Sequence, residues 1–171
     1  MIKVVSNASP LICLSLIDKL HLLKELWGEI IIPKAVYEEV VIKGENKPGA
    51  LLVENAVKDG WIRVIEIKEK NSSKFLMSIL DYGEAEAIVL AQEIKADLII
   101  LDNREPRLFA HQIGLKVIGT VGVILKAYDK QIVKDPLEEI YKLRNYGFYI
   151  GDNLLDRIRS FLENRNGKNK T

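Results

Sequence analysis

Two carboxylates, Glu84 and Asp102, bracket the run GEAEAIVLAQEIKADLIILD at residues 83–102. Glu84, Ala87, Ile88 and Ala91 recur at i, i+3, i+4 and i+7, which predicts a helix with Glu84 at the head of its buried stripe. At about 100° per residue Glu86 falls roughly 200° around from Glu84, so the spacing points it to solvent. Residues 98–101 then form an unbroken apolar run, the pattern of a parallel strand covered on both faces, and Asp102 ends it. Open parallel sheets build their ligand sites outside the carboxyl ends of the strands. This unit therefore predicts two acids at one sheet edge.

Asn7 and Glu39 fall at equivalent places. Asn7 follows a first apolar strand, and Glu39 lies on a helix that follows a second. In projection Glu39 sits beside Val36, Val40 and Ile42, whereas Glu38 lies roughly opposite Val36, so Glu39 is the inward acid. Carboxylates gathered at one mouth repel and raise one another's pKa unless a divalent cation neutralises them. Oxygen ligands with neither a histidine cluster nor cysteines favour Mg²⁺ or Mn²⁺ over zinc. Such ions, when paired about 3.5–4 Å apart, stabilise the attacking and leaving oxygens of a phosphodiester displacement. Phosphodiester hydrolysis is the chemistry expected.

The elements that must position these residues alternate along the chain. Residues 2–6 read as a strand, and Ser9-Pro10 as the N-cap and N1 proline of a helix carrying Leu11, Leu14 and Ile17. A strand at 30–32 stops at Pro33, and a helix follows until Gly44. KGENKPG is a loop, residues 50–57 a helix, and residues 61–67 an edge or antiparallel strand. The polar connector KEKNSSK leads to a helix near 75–80. Beyond Asp102 come a helix at 104–112, a strand at 116–118, and helices at 120–128, 137–143 and 154–162. This pattern predicts an α/β fold, a three-layer α/β/α sandwich around a mostly parallel sheet. The expected organisation is one domain over residues 1–163 and a polar, frayed tail over 164–171.

The 171 residues are 48% hydrophobic, enough for one substantial core. With 25 basic and 24 acidic residues no overall positive field draws nucleic acid or membrane, so a polyanion needs a local patch. The lone cysteine, Cys13, excludes an intramolecular disulfide framework and suits a reducing cytoplasm. The N-terminal stretch lacks a basic n-region, and no apolar run reaches membrane-spanning length.

The spacing from Glu84 to Asp102, the opening SNASPLICL, the segment IIPKAVYEEVV and the closing LRNYGFYIGDNLL together resemble a PIN-domain protein of a VapC-like subfamily. The resemblance covers nearly the whole chain. It implies an α/β/α nuclease that uses Mg²⁺ or Mn²⁺ and cleaves RNA. It further implies a toxin held by a small antitoxin protein, and a homodimer. Carried over by position, the four site residues fall on Asn7, Glu39, Glu84 and Asp102, as catalytic residues and metal ligands, with Asn103 or Glu105 assisting. The departure is Asn7, where the family has aspartate. An amide oxygen ligates a hard cation but brings no formal charge.

Each residue also has a structural reading. Asn7 suits a turn, Glu84 a helix N-terminus, and Asp102 a cap for the 104–112 helix. Thr120 opens a helix and suits a cap. His21 and His111 show no ligand spacing and read as surface residues. Arg104, Arg107, Arg157, Arg159, Arg165, Lys168 and Lys170 are candidates for a phosphate-binding surface, with solvated charge as the plain alternative. Two other functions compete. A catalytically weakened RNA- or protein-binding module follows from Asn7. A phosphoacceptor signalling domain needs an acidic pair after the first strand and a lysine at a late strand end, where Ser6-Asn7 and Ile118-Gly119 stand instead.

Overall fold

The computed structural model describes residues 1–168; positions 169–171, with Lys170 and the end of the expected tail, lie outside the described residues. Five strands, β1 (Val4–Ser6), β2 (Ile30–Pro33), β3 (Ile62–Ile65), β4 (Leu98–Ile100) and β5 (Val117–Ile118), form one parallel sheet in the order β3-β2-β1-β4-β5. Their side chains alternate between two cores, as the period of two demands. Val4, Ile30, Ile32 and Ile100 enter one core, and Val5, Ile31 and Ile99 the other.

Helices α1 (Ala8–Leu16), α2 (His21–Trp27), α4 (Ala50–Lys58), α8 (Thr120–Asp129), α9 (Pro136–Asn145) and α10 (Asp152–Lys168) cover the first face. Helices α5 (Lys70–Leu76), α6 (Tyr82–Glu93) and α7 (Arg104–Gln112) cover the second. This is the expected α/β/α sandwich. The chain winds outward from β1 to β3, then returns to place β4 on the other side of β1. The crevice between β1 and β4 is thus the topological switch point, and Asn7 and Asp102 lie just beyond the ends of those two strands.

Several local expectations are corrected. Asn7, not Ser9, is the N-cap of α1, and Pro10 is the third residue of the helix rather than the first. The third strand is an edge strand, but parallel to β2 rather than antiparallel. Helix α5 begins at Lys70, inside the polar connector, and α2 is a helix the spacing did not mark. The last helix runs on through Lys168, past the polar residues from Asn164.

The helix after β2 is two-part. Helix α3 (Lys34–Tyr37) widens into a π-helical turn over Glu38–Ile42, closed by Lys43 N–H donating to Glu38 O at 2.7 Å. The extra residue rotates the rest of the turn by about 100°. Val41 is therefore buried and Ile42, which the helical projection grouped with Val36 and Val40, is 59% exposed. Gly44 ends the turn where a Cβ would strike the Val40 carbonyl.

Helix α6 is buried on every side from Gly83 to Ala91. A helix enclosed all round carries no single apolar stripe. Glu86 is consequently not at the surface: it is 7% exposed, and its Oε2 accepts the Ala35 N–H at 3.0 Å, satisfying a free donor in the first turn of α3.

Candidate active site

The carboxyl edge of the sheet carries acids on both sides of Asn7. Asn7 is 5% exposed, and its N–H donates to Ile100 O at 3.1 Å, continuing the ladder from β1 to β4. Its side chain makes no capping bond, and Oδ1 is buried with no hydrogen-bond partner among the described residues. Gly83 shows what this oxygen faces. A Cβ there would lie 3.3 Å from Asn7 Oδ1 and 2.7 Å from Glu39 Oε2. A side chain at position 83 would push the Glu39 carboxylate away from this approach to α6.

Glu39 is an exposed residue whose carboxylate folds inward over Gly83. Its pKa is pushed up, first by burial and then by the carboxylates of Asp81 and Glu84, against a smaller opposing pull from Lys43. Glu84, 4% exposed, is locked in place. Its N–H donates to Asp81 Oδ1 at 2.8 Å, and its Oε2 accepts the Asp81 N–H at 3.3 Å, a capping box that starts α6. Its other oxygen accepts Asn103 Nδ2 at 2.6 Å. Glu84 thus serves the helix terminus and faces the mouth at once.

Asp102 is held from three directions. Ser9 Oγ donates to Oδ2 at 3.1 Å, Thr120 Oγ1 to Oδ2 at 2.7 Å, and the Thr120 N–H to Oδ1 at 2.7 Å. Thr120 is fully buried at the first turn of α8, so Asp102 caps α8 and not α7. Ser9 also approaches Cys13 Sγ at 3.9 Å. Burial, and then the Asp102 charge, push the Cys13 thiol up to about 11, although the Ser9 contact lowers it.

A family model described as DUF3368, PIN domain, matches residues 3–164. The chain belongs to the PIN-domain family. The PIN domain is a nuclease fold whose members are generally metal-dependent ribonucleases. No curated protein matches the chain.

Of the four sequence-derived residues, this PIN domain brings Asn7, Glu39 and Glu84 to one side of the mouth, together with Asp81, which the spacing missed. Asp102 lies on the β4 side with its own donors. Asp81 was legible as the N-cap of an S/T/D-x-x-E box, because Glu84 follows it by three residues. Asn103 assists Glu84 rather than Asp102, and Glu105 is exposed. His21 and His111 are at the surface, as expected. Arg159 is held by Tyr141 and Asp156, and Arg165 by Asp129, so these two are engaged in local pairs.

Among the described residues no three histidine, cysteine or acidic side chains converge closely enough to hold a metal by themselves. The donor set still fits a hydrated hard cation. Asn7 Oδ1 is an orphaned buried acceptor beside a second acceptor, Glu39 Oε2, and every candidate donor is oxygen. Mg²⁺ keeps several waters and needs one or two carboxylates rather than a full protein cage.

Proposed function

We propose that this PIN domain is a Mg²⁺- or Mn²⁺-dependent endoribonuclease acting on single-stranded or looped RNA, with Asn7, Glu39, Glu84 and Asp102 as its site. The observation that carries this reading is the pair of acceptors over Gly83: Asn7 Oδ1 has no donor, and Glu39 Oε2 stands beside it. A buried acceptor with no donor, standing beside a carboxylate oxygen, is stabilised by a cation. Glu39 and Glu84 would hold it, with Asn7 as a neutral ligand and Asp102 from the β4 side. A bound divalent ion would supply Lewis-acid stabilisation of the phosphoryl oxygens. The chain itself orients the ligands: Asn103 fixes Glu84, while Ser9 and Thr120 fix Asp102. The role follows as the toxin of a toxin–antitoxin pair, working as a cytoplasmic homodimer and restrained by a small protein encoded beside it.

Replacing Asp102 with asparagine tests this. The variant keeps an acceptor for Thr120 but removes the charge, so Mn²⁺-dependent cleavage of single-stranded RNA should fall at least a hundredfold while circular dichroism is unchanged. Equal cleavage by the purified variant removes the assignment. A second reading, a binding module with weakened catalysis, is favoured by the uncharged Asn7. It predicts RNA binding by the native chain without cleavage, and cleavage restored by Asn7→Asp.

A further inference from the structure

An acidic mouth repels a polyanion, and a cationic side chain fixed beside the acids would help a phosphate to approach. We propose that Arg107 is that cation, gripping a non-bridging phosphate oxygen of the RNA on the Asp102 side of the mouth; this rests on the nuclease reading above.

Arg107 lies on α7, and its Nη1 donates back to Leu101 O at 2.9 Å, which folds the guanidinium over the end of β4. Leu101 is the residue immediately before Asp102. At Gly119 the two groups meet one point: a Cβ there would lie 2.8 Å from Arg107 Nη1 and 3.2 Å from Asp102 Oδ1. The glycine keeps this corner open, and Arg107 is only half-buried.

The charge of Arg107 is not spent on a partner. Among the described residues it forms no ion pair, and Leu101 O is its one hydrogen-bond acceptor. A guanidinium has five N–H donors, so most of the fork is left for a ligand. Arg159 and Arg165, by contrast, are tied to Asp156 and Asp129 far from the mouth. Lys43, on the Glu39 side, is exposed and a compact charge without a fork. A planar fork already anchored through one N–H loses little freedom when it takes a phosphate, and it matches two phosphate oxygens at once.

A purely structural Arg107 would do no more than satisfy the Leu101 carbonyl and hold Asp102 in place. Three measurements on Arg107→Ala and Arg107→Lys separate the two roles: fluorescence anisotropy with labelled single-stranded RNA in EDTA at several salt concentrations, the Mn²⁺-induced thermal shift, and cleavage with Mn²⁺ with and without added guanidinium. Arg107→Ala should weaken RNA binding about ten- to a hundredfold and lower the salt slope by about one. It should not diminish the Mn²⁺ shift, because a positive charge beside Asp102 is removed, and guanidinium should restore part of the cleavage. Arg107→Lys should fall between, and stands in for the alanine variant if that one does not fold. An unchanged RNA affinity and salt slope overturns the proposal. So does loss of the Mn²⁺ shift, which would make Arg107 a positioning residue for Asp102, and so does native protein that binds no RNA in EDTA. If the native chain binds RNA but cuts none with either metal, the nuclease reading fails while the binding measurements still decide Arg107.

Discussion

Replacing Asn7 with aspartate inserts a charge at the buried side-chain acceptor that lacks a partner among the described residues. Asn7 Oδ1 and Glu39 Oε2 lie 3.3 and 2.7 Å from the same point, so the new carboxylate would stand within about 6 Å of Glu39. At an effective dielectric of about 20 two like charges at that distance repel by about 3 kcal/mol. Glu39 is exposed, and solvent screening reduces this to about 1 kcal/mol. No capping bond of Asn7 exists to be lost in exchange. For a chain of this length 1 kcal/mol moves the melting temperature by about 2–4 °C. In EDTA at pH 7 the aspartate variant should therefore melt about 2–4 °C below the native protein, and the gap should close once the pH falls below the carboxylate range. With Mn²⁺ the order should reverse, because the added charge favours the cation, and RNA cleavage should rise at least tenfold. Differential scanning fluorimetry across pH, with and without Mn²⁺, measures the first part. A metal-free variant as stable as the native protein at pH 7, with an equal Mn²⁺ shift, would refute the reasoning.

Two further outcomes concern the titrating groups. The raised pKa of Glu39 means that the native state favours its protonated form. That contribution to stability is complete below the ordinary carboxylate pKa of about 4.3 and is lost as pH rises through the raised value. Glu39→Gln should thus match the native protein in urea melts near pH 4 and exceed it by at most about 1 kcal/mol at pH 7 in EDTA, with a weaker response to Mn²⁺. Cys13, pushed up to about 11, should react slowly with iodoacetamide at pH 8, and Asp102→Asn should speed that labelling a few-fold. An equal labelling rate would mean that burial alone governs the thiol.

What the sequence disclosed was local. The apolar run before Asp102, the helix with Glu84 in its first turn and the strand before Asn7 are each specified within a few residues, and each is present, although the helix begins at Tyr82 and the strand only at Val4. What it hid was set by distant partners. Glu86 projects away from Glu84 on a helical wheel, yet a backbone N–H 51 residues earlier receives it, because α6 has no solvent side. Ser9 has the type and position of a cap, but the chain turns two residues sooner and frees its hydroxyl for Asp102. The π turn carries Ile42 out of the inward face, since projection assumes 3.6 residues per turn. Arg107 was one of seven basic candidates, and only the backbone at Leu101 and Gly119 distinguishes it.

The two ends of the β1–β4 crevice are under unequal constraint. Asp102 stitches α1 to α8, so a lineage that abandoned cutting would still need an acceptor there to keep its helices in place. Asn7 stitches nothing with its side chain, and it can trade charge for amide without unravelling anything. Among descendants of this architecture, then, the fold demands only some acceptor at position 102, whereas position 7 is at liberty to change its charge with the demands of the blade.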